Sequence, residues 1–336
     1  ASRAVLGCLN DAVFQLSHRR APGVSLRDLG LQHAQDIYSL TGYQKPRDRV
    51  LELFGVMASG ATAVRGLLDQ ALPPVAGRPL ALMVPHAGYV YSGLVAADGW
   101  RQTEGESYGL VVLLAPNHTV ARFSGAAVFL GAGLRTPLGV VPVDEGAAAA
   151  LLAADAECTS DPLPHEREHA IEVQLPFVQV ALPGVPVLPV VVADEDPGRC
   201  ERFGRALAGV LDGRRALVVA SSDLSHYPGY DDAVAADRAV LAAVARMDPD
   251  GLRRTLDAEE RAGRRGLATC ACGAAPLFAT LAAARALGAT RGAVVSHANS
   301  GDVPAGDRER VVGYGAVVFT AGEPGEVYNL ASGRPV

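Results

Sequence analysis

Past residue 79, hydrophobic residues come in short unbroken runs, and four of those runs lead into a histidine. LALMVP leads to His86, LVVLLAPN to His118, ALVVASSDLS to His226 and GAVVS to His297. Runs of this length, rich in Val and Leu and closed by Gly, Pro, Asn or Ser, predict strands buried on both faces. Further strands are predicted in GAAVFL, VPVLPVVVA and VVGYGAVVF, while RTPLGVVPVD reads as turn-rich. Apolar positions at three- and four-residue spacing predict helices near residues 92–102 and 144–154. The same spacing predicts helices over EHAIEVQLPFVQVAL, CERFGRALAGVLDG, DDAVAADRAVLAAVARM and APLFATLAAARALG.

This alternation predicts an α/β fold, a central mixed sheet flanked by helices with some antiparallel pairing near the end. Ligands of open α/β sheets sit beyond the carboxyl ends of the strands, where the loops converge. Four imidazoles delivered to that edge would make a polar, metal-competent site. Residues 1–74 are predicted to form an N-terminal helical extension, with apolar spacing in LRDLGLQHAQDIYSL and TAVRGLLDQAL. The PPVAGRP stretch breaks that pattern, residues 75–322 carry the α/β domain, and residues 323–336 read as a tail.

A net charge of -6 with interspersed signs gives no reason to expect nucleic acid. The five cysteines form no CxxC pair and no disulfide framework. No signal peptide is visible, and no apolar run approaches the roughly 20 residues needed to span a bilayer. A cytoplasmic protein without membrane contact is the expectation. The wealth of Ala, Gly, Arg and Val is associated with GC-rich bacterial coding sequences.

Six segments carry candidate chemistry. In PHAGYVYSG, His86 follows a strand and Tyr89 and Tyr91 could donate to an anion; a turn with Ser92 capping the next helix is the plainer reading. APNHTV presents His118 after a second buried strand, and two neutral imidazoles on neighbouring strand ends suit Fe(II), Zn(II) or Cu(II). In REHAIEVQLPF, Glu168 and His169 are predicted at a helix N-terminus, where the macrodipole favours the carboxylate. His165 lies just upstream, and Glu172 reads as part of an amphipathic face. SSDLSHY offers Asp223 and His226 as a carboxylate–imidazole pair, or a helix cap, or a hydrolase nucleophile in Ser221 or Ser222 without a GxSxG elbow. TCACG places Cys270 and Cys272 before a helix, which lowers a thiol pKa, and one functional thiol is expected. SHANSGD gathers His297, Asn299 and Asp302 around Gly301.

In their order along the chain, PHAGYVYSG, PNH, EHAIEVQLPF, SSDLSHY, TCACG and SGD…VVGYGAVVF resemble the Memo family over roughly residues 75–320. The resemblance implies a fold like that of class III extradiol ring-cleaving dioxygenases. It implies metal ligands at His86, His118 and Cys272 and an acid–base residue at His226. Those dioxygenases complete their triad with a carboxylate; a thiolate in its place favours Fe(II), Cu(I) or Zn over hard cations. Residues 1–74 lack the family's usual short opening, which suggests a lid or oligomerisation element. His297 stands where relatives would carry Tyr.

The favoured reading is a non-haem Fe(II) oxygenase acting with O2 on a small ortho-dihydroxy or aminophenol-like substrate, with Cu or Zn as alternative metals. His226, His169 and Asp223 would be catalytic, and Tyr89, His297, Glu168 and His165 would line the substrate pocket. The alternative is a non-catalytic metal-binding redox or scaffold protein using the same cleft for a metal or peptide. A hydrolase built on Ser222, Asp223 and His226 ranks lower, because triad members usually come from separate loops. Homo-oligomer formation is left open.

Overall fold

The computed structural model describes residues 60–75 and 77–322. The predicted tail lies outside the described residues, as does the N-terminal extension before its last helix. That helix, α1 (Gly60–Gln70), buries Val64 and Leu68 in the same core as the α/β domain. There follow β1 (Pro79–Val84), α2 (Tyr89–Arg101), β2 (Leu110–Pro116), β3 (Ala126–Val128) and the hairpin β4 (Gly133–Thr136) and β5 (Gly139–Pro142). Next come α3 (Glu145–Ala154), β6 (Cys158–Thr159), the single turn α4 (Leu163–Glu166), α5 (Leu175–Ala181), β7 (Val187–Val192), α6 (Pro197–Val210) and β8 (Ala216–Ser221). The chain continues through α7 (Tyr230–Ala245), α8 (Pro249–Arg261), α9 (Ala274–Ala286), β9 (Arg291–Asn299) and β10 (Gly313–Thr320).

The main sheet has eight strands in the order β6-β3-β7-β2-β8-β1-β10-β9. Its central four, β7, β2, β8 and β1, are mutually parallel neighbours. At one flank β10 runs antiparallel to both β1 and β9, and at the other β3 runs antiparallel to β7. The central strands are continuous hydrophobic runs because helices cover both faces. Period-two alternation divides each strand between two cores: Leu110, Val112 and Leu114 of β2 face α6 and α9, while Val111, Leu113 and Ala115 face the side of α2 and α5. Each of these Val and Leu side chains, taken out of water, contributes about 1.5–3 kcal/mol.

Four elements differ from the sequence expectation. The predicted long helix after Glu168 is shorter: residues 170–174 are turns, and α5 begins at Leu175 with Pro176 in its first turn. The turn-rich RTPLGVVPVD is the β4–β5 hairpin. Residues 249–261, to which the sequence pattern assigned nothing, form α8, which starts at Pro249 and buries Leu252 and Leu256. In α2 the helix opens at Tyr89, so Ser92 falls inside it and its hydroxyl donates back to the Ala87 carbonyl. Among the described residues, no helix is long and apolar enough to cross a membrane.

Candidate metal centre

The carboxyl ends of β1, β8 and β2 lie side by side, so the loops that follow them meet at one edge of the sheet. Asp223, two residues beyond β8, accepts the backbone N–H groups of His86 at 2.8 Å and Ala87 at 3.3 Å. That clamps the loop after β1 to the loop after β8. His226 then donates its backbone N–H to Thr269 and accepts that of Ala268, which ties in the segment carrying Cys272. Gly273 comes so close to β8 that a Cβ there would lie 2.5 Å from the Ser222 Cβ. Its N–H meets the Ser222 hydroxyl at 3.0 Å.

These constraints bring together a nitrogen from His86, a nitrogen from His118 and the sulfur of Cys272, all within 4.8 Å of one another. Cys272 Sγ lies 3.3 Å from His86 Nε2. Two such donors on one tetrahedral ion would be separated by about 3.5 Å, so the donor set fits a soft or borderline divalent metal. His169 completes a triangle of imidazoles, with ring centroids 5.3 Å (His86–His118), 5.4 Å (His86–His169) and 5.5 Å (His118–His169) apart. Two further groups overlap the first: His118 with Glu168 and His169, and Cys272 with Asp223 and His226.

The charges follow from this packing. Burial pushes the Cys272 thiol up, but the facing His86 and hydrogen bonds from His118, His226 and His86 outweigh it and hold the group well below the ordinary thiol range. Burial likewise opposes charge on His86 and His118, yet Cys272 and Asp223 raise the first, and Glu168 and Cys272 raise the second well above an ordinary imidazole. Glu168 is held far below the usual carboxylate range by His118 and His169, against its own burial. For His169 burial wins, and its pKa falls to about 4. At neutral pH the centre is therefore a thiolate and a carboxylate among imidazoles, of which His169 is neutral.

The predicted pocket residues have partners of their own, and among them only Glu168 touches the triad, through His118. Glu168, rather than capping a helix, accepts backbone N–H groups from His118, His169 and Ala170. Tyr89 spends its hydroxyl on the Val173 carbonyl at 2.6 Å, bracing the 170–174 turns. His165 is buried, with Nε2 3.0 Å from the Ala127 carbonyl, and lines a small cavity with Glu168 and Glu172. His297 lies within β9, and its Nε2 meets the fully buried carboxylate of Asp237 at 3.0 Å. The hydrolase reading loses its nucleophiles: the hydroxyl of Ser222 donates to the Asp223 carbonyl and that of Ser221 to the Ala170 carbonyl. Sequence reasoning missed Gln174, fully buried beneath His86. The signal was there: an uncharged polar residue one position before the apolar helix that Pro176 opens.

Comparison with known proteins agrees with the resemblance drawn from the motifs. The family model described as Memo-like protein matches residues 62–318. A MEMO1 family protein of Caldivirga maquilingensis is 35% identical over 243 residues, covering 71% of this chain and 83% of that protein. One from Methanopyrus kandleri is 37% identical over 245 residues, covering 72% of this chain and 83% of that protein. Among solved structures, an uncharacterized protein from Escherichia coli K12 overlays with a TM-score of 0.46 at 14% identity, covering 70% of this chain and 99% of that one.

Proposed function

The chain belongs to the Memo family, and on that premise we propose that it is a metal-dependent oxygenase of the non-haem Fe(II) type. Its substrate would be a small aromatic ortho-diol or aminophenol. The observation that supports this most is the convergence of His86, His118 and Cys272 beside two imidazoles, His169 and His226, that the triad does not need. Fe(II) held by the triad would supply a Lewis-acidic, redox-active centre for a chelating substrate and O2. His169, neutral at pH 7 and packed against His86 and His118, would orient a substrate hydroxyl by hydrogen bonding; with its pKa pushed down to about 4 it is too weak a base to lead the proton transfer. His226, beside Cys272 and fixed through its backbone to Thr269, would take the proton of the substrate hydroxyl and return it later. Asp223 keeps both loops in register.

The test is metal content of anaerobically purified protein, wild type beside His86→Ala and Cys272→Ala, followed by O2 uptake with catechols and aminophenols. Near-stoichiometric iron, lost in both variants, with substrate-dependent O2 uptake supports the proposal. Protein that stays metal-free after Fe(II) and Cu(I) reconstitution would sink it. A second reading, a metal-binding redox or scaffold protein without turnover, is favoured by the thiolate, whose softness suits Cu(I) as well as Fe(II). Bound metal without O2 uptake would select that reading.

A further inference from the structure

We propose that Trp100, Gln174 and Ser221 are positioning residues that fix which nitrogen of His86 faces the metal position. The purpose of this relay rests on the metal reading above; its first test does not. All four residues are essentially inaccessible to water, so each polar atom must be satisfied internally. An indole N–H can only donate, and that of Trp100 meets Gln174 Oε1 at 3.0 Å. This sets the amide the other way round at its far side. Gln174 Nε2 donates to the Pro85 carbonyl at 2.9 Å and to Ser221 Oγ at 3.0 Å. The Ser221 hydroxyl in turn donates to the Ala170 carbonyl at 2.8 Å.

With its one hydrogen on Ala170, Ser221 Oγ can only accept from the remaining neighbour, His86 Nδ1, 3.1 Å away. His86 therefore carries its proton on Nδ1 and turns the Nε2 lone pair toward Cys272 and the metal position. The opposite tautomer would set two lone pairs against each other, or strip the Ala170 carbonyl of its donor. Polarity is thus passed from a donor that cannot reverse, through an amide and a hydroxyl, to an imidazole that otherwise could.

The two triad imidazoles are oriented by different chemistry. His118 is held by the carboxylate of Glu168, whereas His86 is held by a neutral hydroxyl. A second carboxylate at that place would add negative charge behind a site that already contains a thiolate. The relay supplies the orientation without the charge.

The decisive experiment is long-range 1H–15N correlation NMR on metal-free, 15N-histidine-labelled full chain carrying Cys272→Ala, which removes the thiolate that competes for the Nε2 proton. His86 is assigned by its loss in His86→Gln. A protonated Nδ1 and an unprotonated Nε2 are expected at a pH above the imidazole titration, and adding Ser221→Ala should mix the tautomers. A predominant Nε2–H form in the parent overturns the proposal even if Ser221→Ala does not fold, and so does an unchanged tautomer in a folded Ser221→Ala. The second readout is Zn(II) affinity by chelator competition with Cys272 intact. Ser221→Ala and Gln174→Met should each weaken binding about 10- to 100-fold, while Ser221→Thr, which keeps the hydroxyl, should bind as wild type. Unchanged affinity in both weakening variants counts against the relay. Wild-type protein that binds no metal, with the Nδ1–H tautomer present, would refute the metal reading and leave the relay standing.

Discussion

Glu168 holds His118 at two points: Oε1 lies 3.1 Å from the ring Nδ1, and Oε2 accepts the backbone N–H of the same residue at 2.9 Å. One carboxylate therefore fixes both the loop after β2 and the tautomer of the imidazole it presents. A carboxylate behind a metal-binding histidine also raises the basicity of the nitrogen that faces the ion. Glu168→Gln keeps the shape but loses the charge. Metal affinity should fall about 10- to 100-fold, with little change in far-UV circular dichroism, as measured by chelator competition.

The cysteines should divide sharply in reactivity. Burial pushes Cys158, Cys200 and Cys270 up to about 12, whereas Cys272 is held well below the ordinary range and is partly accessible. Alkylation of the metal-free protein by iodoacetamide at pH 7, followed by peptide mass spectrometry, should label Cys272 first among these four. His86→Ala should slow it, and bound metal should block it. Equal labelling of Cys158 and Cys272 would contradict the assigned electrostatics.

His169 ties stability to acid pH. In the unfolded chain it takes up a proton near its ordinary 6.5, but burial delays protonation in the folded protein to about 4. Between those values the unfolded state binds more protons, so this residue's contribution falls as pH drops from 6.5 toward 4 and levels off below. His118 and His86 act in the opposite sense, losing their contribution as pH rises through their raised pKa values. The urea midpoint of His169→Gln should therefore decline less than that of wild type between pH 6.5 and pH 4.

Gly273 has no room for a methyl group, since its Cβ would sit 2.7 Å from both the Ser221 carbonyl oxygen and Ser222 Oγ. Gly273→Ala should destabilise the fold by about 1–3 kcal/mol through overpacking. It should also displace Cys272 and weaken metal binding. A thermal melt and a metal titration on the same sample check both; an unchanged melt would show that α9 can shift freely.

Strand-end histidines were legible because the buried strands of a parallel sheet are uninterrupted apolar runs, and the residue that stops such a run announces itself. His86, His118 and the β1–α2–β2 alternation could be read on that ground, and the likeness to Memo proteins added Cys272. What holds these residues was not legible. Gln174 touches Trp100 and Pro85 across 74 and 89 positions of sequence, and no local pattern records such contacts. The length of the helix after Glu168 was misjudged because apolar residues in consecutive turns mimic helical spacing, and Pro176 was the overlooked boundary. His297 shows the reverse limit: a run ending in histidine also occurs where the imidazole serves a buried carboxylate, here Asp237.

Because the loops after β1 and β2 meet the segment that leads into α9, neighbouring donors in space are remote in the chain, and His86 and Cys272 stand 186 residues apart. A ribosome releasing this polypeptide delivers His86 and His118 early, and Cys272 only after the whole of β8 has emerged. A chain that stops short of residue 272 lacks the thiol of the three-donor set. Capture of a metal by all three donors would thus be a late event in the life of each molecule, and a nascent chain short of Cys272 would be spared from carrying a reactive ion that it could not yet enclose.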